Sequence, residues 1–409
     1  MKKLIILIAV SLFLRIFLSV KIYSGDLNNH IGWGESILFS GPRNAYERQY
    51  FGILKPTYPP LALYAFTTSY AAHHYTDRLL RFLNIHISAF PSRLIWAWED
   101  QDVLPAFQKV IAIAADIGIG VLIFAITRST LASALYLLNP AVWYNSALWG
   151  QIDSLPVFWV ILSCFLIYRR RPVISALFFA AALLSKQSSI IFLPVFLIYH
   201  FKTFSLSLTI KSLFVMAAVS YLAYLPFSSS PNVIWPFQVY LDRLRNGSGS
   251  DYISDHAFNL WALWTKLQKI SDIHVANIAK ILFTILSSGF IIKILQLRQM
   301  SLQKILSLMG LIQLVAFLVL TRMHERYLGP ALPLILLGFW PNRKLLVIYF
   351  LLSVAHLANL YHQWWYPPLP FFQNLLLSWN TVVIIIFLIF FSSLVAGITY
   401  LYDQDKQSA

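Results

Sequence analysis

The sequence predicts an all-α integral membrane protein of about 12 spans, and three observations carry that expectation. Of its 409 residues, 58% are hydrophobic and 11% charged, against roughly 25% charged in an average soluble domain, and the mean hydropathy is +0.67. Charge-free apolar runs recur along the chain, at 4–14, 191–199, 305–320 and 371–402. The last is long enough for a crossing of about 20 residues, and several others reach that length only by including a polar residue. Third, Lys and Arg collect in every second short connection.

Spans are expected near 2–21, 106–127, 131–148, 155–169, 172–184, 189–201, 207–226, 276–297, 302–320, 328–341, 345–361 and 376–399. Several are short enough to be half-helices. The first begins with Lys2 and Lys3, but Arg15 interrupts it and no small-x-small cleavage site follows, so it is expected to be retained. With the N-terminus inside, Arg128, Arg169, Arg170, Arg171, Lys202, Lys211, Lys293, Arg298, Lys304, Arg343 and Lys344 all fall on the inner side. The outer side then receives two long segments, 24–105 and 227–275, and every acidic residue except Asp116, Asp403 and Asp405. Residues 1–402 read as one membrane domain, followed by a short, disordered inner tail at 403–409. Interfacial amphipathic helices are expected in the long outer segments, for example at the apolar stretch 61–72.

Composition also excludes classes of function. Cys164 is the single cysteine, which rules out an internal disulfide and a Cys-based zinc site. The net charge of +15 lies in short loops instead of a stripe, so no nucleic-acid partner is implied. His73 and His74 are adjacent, a poor spacing for a helical metal site, and no metal cluster stands out.

The residues able to carry chemistry lie on the outer side. Asp26, in Ser24-Gly25-Asp26-Leu27, follows the first span and is placed to act as a base on a sugar hydroxyl; the alternative is a helix-capping carboxylate. Tyr58-Pro59-Pro60 reads as a stiff helix start. Trp149-Gly150-Gln151-Ile152-Asp153 offers an indole face, a carboxamide and a second carboxylate, with the membrane-interface belt and helix capping as alternatives. Lys186, beside Gln187, is a candidate phosphate partner or a snorkelling cation. In 254–261, polar and aromatic residues including Asn259 and Trp261 can share an amphipathic helix bordering a groove. The densest cluster is Arg322-Met323-His324-Glu325-Arg326-Tyr327, two guanidiniums and an imidazole that need an anion. Glu325 can supply one internally; the bidentate fork of Arg also matches phosphate. Arg15 and Asp116, both inside expected spans, are predicted to pair, with an ion pathway as the functional alternative.

Taken in order, Asp26, Tyr58-Pro59-Pro60, Trp149-Gly150-Gln151 with Asp153, Lys186-Gln187, Asn259-Leu260-Trp261 and His324-Glu325-Arg326-Tyr327 resemble the GT-C glycosyltransferases that use polyprenyl-phosphate sugars. The pattern is similar to the bacterial mannosyltransferase-like branch and, more distantly, to the dolichyl-phosphate-glucose-dependent glucosyltransferases, and it covers residues 24–330. The resemblance implies a GT-C fold and a hexosyltransferase moving mannose or a glucose-like sugar, with inversion, from a polyprenyl-phosphate donor to a lipid- or glycan-linked acceptor. It assigns Asp26 as general base and His324 and Arg326 to the donor phosphate, with Arg322 and Lys186 as candidates. Trp149, Gln151, Asp153, Tyr58, Asn259 and Trp261 fall to sugar or acceptor binding. The branch implies metal independence, although a divalent ion held by Asp26 and other outer carboxylates stays open. It also implies a bacterial inner membrane, an active site facing the periplasm, and cytoplasmic termini. One departure is the lack of an adjacent acidic pair beside Asp26, which argues against protein acceptors. The competing expectation is a transporter or flippase of a polyprenyl-linked sugar, for which the sequence offers one intramembrane ion pair and no internal repeat.

Overall fold

The computed structural model describes residues 2–230, 232–246, 251–296, 300–340 and 342–408. Arg298, expected in an inner loop, lies outside the described residues. Helices dominate, and among the described residues there is no strand ladder, only isolated bridges at 252, 255, 256, 271 and 324. In chain order the helices are α1 (Lys2–Ser19), α2 (Gly25–Ser40), α3 (Pro60–His86), α4 (Arg93–Gln101), α5 (Leu104–Thr127), α6 (Thr130–Leu137), α7 (Pro140–Trp143), α8 (Ser154–Tyr168), α9 (Pro172–Ser185) and α10 (Leu193–Thr203). Then follow α11 (Leu206–Tyr224), α12 (Trp235–Asn246), α13 (Leu260–Thr265), α14 (Ala276–Gln296), α15 (Leu302–Val319), α16 (Ala331–Phe339), α17 (Leu346–Gln363), α18 (Pro370–Leu377) and α19 (Trp379–Ser408).

Among the described residues, five helical stretches are long and apolar enough to cross a membrane: Leu104–Thr127, Leu206–Phe227, Ala276–Gln296, Leu302–Val319 and Trp379–Tyr402. Their packing differs. α15 is the hub, 83% of its apolar window being buried, whereas α11 and α14 bury 11% and 17% of theirs. Phe214 on α11 and Ile285 on α14 are therefore largely exposed. Water does not tolerate apolar faces of that extent on a stable monomer, and lipid does.

The remaining expected spans are shorter, broken or more polar. The run 131–148 is not one helix: Asn139 caps a new start, its side chain accepting from the Ala141 amide at 3.0 Å, and Pro140 cannot donate to the preceding turn. The segment continues as a π-turn, Tyr144–Trp149, ending at Gly150. α16 has nine residues, and α10 is preceded by a 3-10 turn, Gln187–Phe192. Inside this bundle Arg15 Nε meets Asp116 Oδ2 at 3.1 Å, as predicted for the two charges in apolar helices.

The stretch 61–72 is helical, as expected, and belongs to α3, a helix of 27 residues that continues through polar positions to His86. Two expectations are corrected. The residues before Asn259 are extended, not helical: Asp255 N donates to Met323 O at 3.0 Å, and helix begins only at α13. The tail was expected to be disordered after residue 402, yet α19 runs to Ser408, because no Gly or Pro follows Gly397 to stop it.

The two long segments 24–105 and 227–275 are stitched together. Asn44 N donates to Phe227 O at 3.0 Å and Trp235 Nε1 to Glu47 Oε1 at 2.9 Å. α2 is pressed onto α3 at Gly34, where a Cβ would lie 2.6 Å from the Phe66 carbonyl oxygen. That close crossing fixes the helix whose first turn carries Asp26.

A candidate active site around Asp26

Asp26 does not cap α2. Ser24 does, its hydroxyl accepting from Leu27 N at 3.1 Å, while Asp26 sits in the first turn, where the helix dipole favours a carboxylate. Its side chain is 38% exposed and lines two neighbouring cavities. One, of about 760 Å³, is walled by Asn28, Asn29, Trp149, Gln363 and Trp364. The other, of about 60 Å³ and more enclosed, is walled by His30, Tyr58, Lys186, Gln187, Arg326 and Tyr327.

The sequence brings four distant segments to this carboxylate. Gly150, at φ +86°, takes a left-handed conformation that ends the π-turn and reverses the chain. A Cβ there would also press within 3.0 Å of Leu27. The reversal delivers the next residue, buried Gln151, whose Nε2 donates to Asp26 Oδ2 at 2.5 Å. Arg326 Nη1 stands 3.8 Å from the same oxygen and donates to Glu325 Oε1 at 2.9 Å. Arg326 is buried, and its Nε has no hydrogen-bond partner.

Lys186 is also buried and forms an ion pair with Asp153. Asp153 occupies the residue before α8 but makes no cap hydrogen bond, so its carboxylate serves Lys186 instead. The ammonium lies 4.6 Å from the Tyr327 ring centroid and 5.7 Å from that of Tyr58, a cation box with aromatic walls. Pro60 stands at the start of α3, which explains the Tyr58-Pro59-Pro60 element as a rigid lead-in to this wall.

Electrostatics follow from this layout. Burial pushes the Asp26 carboxyl up, but Arg326, His30, the Gln151 hydrogen bond and His324 together hold it below the usual carboxylate range. Burial raises Glu325 to about 7, with Arg326 opposing. Burial lowers His30 to about 4, partly offset by Asp26, so this ring is neutral at pH 7. It stacks on Phe66, with 4.1 Å between ring centres. Asp26 is therefore ionised at pH 7 and, unlike Asp153, not committed to Lys186, so it is able to accept a proton.

Other expected site residues are placed elsewhere. Arg322 spends its fork on Asp272, at 2.8 and 2.9 Å, and donates again to Arg245 O. His324 Nδ1 lies 3.6 Å from Asp255 Oδ2, and its ring acts on Asp26 only through space. Asn259 caps α13, accepting from Ala262 N at 3.2 Å, and Trp261 Nε1 donates to Val319 O at 2.7 Å. None of these four lines either Asp26 cavity. Conversely, Trp364 was missed: it stacks on Trp149 at 5.5 Å between centroids and helps wall the larger cavity. Its place in the aromatic run 364–366 was the available signal. Among the described residues, no group of three or more His, Cys, Asp or Glu side chains is placed to hold a metal ion.

Compared with known proteins, this chain matches no family model and no curated protein.

Proposed function

We propose that this protein is a GT-C-type hexosyltransferase, moving mannose or a glucose-like sugar from a polyprenyl-phosphate donor to an acceptor hydroxyl at the outer face of the membrane. The observation that carries the reading is the position of Asp26 on the wall shared by two unlike cavities, one cationic and one lined by carboxamides and indoles. A single-displacement transfer needs that adjacency: a leaving phosphate on one side, an attacking hydroxyl on the other, and a base within reach of both.

In the proposed reaction the acceptor oxygen attacks the anomeric carbon, and its proton passes to Asp26. The bond from that carbon to the phosphate oxygen breaks, and the prenyl phosphate leaves with the electron pair. Attack opposite the leaving group inverts the anomeric configuration. Phosphate is a good leaving group that needs its charge balanced more than its oxygen protonated, and Lys186 and Arg326 supply that balance. Phosphate bound there also offsets the Arg326 charge that holds the Asp26 carboxyl down, so donor binding makes Asp26 a stronger base. Trp149 and Trp364 offer flat faces to a sugar, while Asn28 and Asn29 offer hydrogen bonds to its hydroxyls. His324 tunes Asp26 through space, and Arg322, Asn259 and Trp261 hold the surrounding frame. This reading includes about 12 spans, a bacterial inner membrane, a periplasm-facing site, inner termini and no required metal.

The alternative, a flippase of the same lipid-linked sugar, draws on the interrupted helix at Asn139–Pro140 and the buried Arg15–Asp116 pair. The test is transfer by the purified protein in nanodiscs from synthetic polyprenyl-phosphate mannose and glucose to a membrane lipid and glycan extract, in EDTA. Product of inverted anomeric configuration supports the transferase. Donor binding without product across the panel supports the flippase.

A further inference from the structure

A further cavity lies beside Asp153, the partner of Lys186. It is about 20 Å³ in volume, and its polar lining comes from Asp116, Tyr136, Asn145, Ser146, Asp153, Ser154 and His356. That volume exceeds the roughly 10–15 Å³ needed for one water.

The lining has a chemical bias. Asp116 is well served, receiving Arg15 Nε at 3.1 Å, Ser146 Oγ at 2.5 Å and Tyr136 Oη at 3.3 Å. Asn145 Oδ1 and His356 Nδ1 are buried with no hydrogen-bond partner, while the Asn145 side chain hydrogen-bonds the Asp153 carboxylate. His356 is 1% exposed and bonds the backbone carbonyl of Glu325. A ring that donates from Nε2 keeps a lone pair at Nδ1. Both orphaned atoms are thus acceptors on residues that line one small space, and leaving a buried acceptor unmet costs about 1–3 kcal/mol.

We propose that this cavity holds one ordered water that donates to both of these acceptors, and that His356 and Asn145 are positioning residues for the site cations through it. The guest has to be a donor, because the orphaned atoms accept. It has to be neutral, because Arg15 and Lys186 already match Asp116 and Asp153. The water joins Asn145, and through its side chain the Asp153–Lys186 pair, to the His356 ring and the backbone that carries Glu325 and Arg326. Only this functional consequence rests on reading Lys186 and Arg326 as the phosphate grip; the water itself does not.

The experiment has two arms. A high-resolution structure of the wild type in lipid nanodiscs reads the cavity directly, with a water peak expected within hydrogen-bond distance of His356 Nδ1 and Asn145 Oδ1. Binding of farnesyl phosphate is then compared among wild type, His356→Gln and His356→Phe. Gln keeps an acceptor oxygen and retains affinity, whereas Phe removes the acceptor and weakens binding about tenfold, the effect of losing one ordered hydrogen bond. Asn145→Leu is the second probe if His356→Phe does not fold, with the same loss expected. An unfilled cavity in the wild type overturns the proposal, as does unchanged affinity in the variants lacking an acceptor. Wild type that holds the water but does not bind farnesyl phosphate removes the proposed function and leaves the water in place.

Discussion

The Gln151 carboxamide donates to the Asp26 carboxylate at 2.5 Å, joining the turn after the π-helical segment to the first turn of α2. Hydrogen bonds to charged groups contribute about 1.5–3 kcal/mol. Gln151→Leu is therefore expected to slow sugar transfer about tenfold to hundredfold at saturating donor, if the bond orients the base. Steady-state kinetics check this, and a change confined to donor KM would contradict it.

Glu325 gives a pH signature. Its folded carboxyl titrates near 7, above its ordinary value of 4.5, because burial disfavours the charged form. A raised value favours the fold most below pH 4.5, and that advantage is lost as pH rises through 7. Thermal unfolding of Glu325→Gln, which stays neutral, should match the wild type at acid pH. Above pH 7 the variant should become the more stable by up to about 3 kcal/mol. Parallel pH curves for the two proteins would contradict the assignment.

Arg322 separates frame from site. Its guanidinium is held by Asp272 and the Arg245 carbonyl, away from the Asp26 cavities. Arg322→Ala is expected to lower the unfolding temperature, since it strands the buried Asp272 carboxylate, while leaving farnesyl phosphate affinity unchanged. Arg326→Ala is expected to abolish that affinity. Binding titrations beside thermal unfolding distinguish them, and equal losses of affinity would contradict the division.

How legible this was in the sequence depends on what kind of signal each element leaves. Arg15 and Asp116 were readable because charge in an apolar run demands a partner. Asp26, Lys186, Gln151, Asp153 and Arg326 were readable from their order along the chain, and they lie together. Arg322 and Arg326 look alike four residues apart, yet one faces Asp272 and the other Asp26. Composition cannot separate them, because the Tyr252 carbonyl that fixes Arg322's backbone comes from a distant segment. Asn259 and Trp261 sit in a suggestive motif, but Asn at a helix start serves the backbone equally well. The break at Asn139–Pro140 was hidden because apolar residues continue on both sides of it. Trp364, just past the end of α17, joins the site only by stacking on the distant Trp149, a purely tertiary contact.

The most direct test is sugar transfer by Asp26→Asn beside wild type, with farnesyl phosphate binding measured on the same preparations. The substitution keeps the shape and removes the basic oxygen at the junction of the two cavities. The account predicts that transfer is lost while prenyl phosphate binding persists. Transfer by Asp26→Asn at the wild-type rate would contradict it.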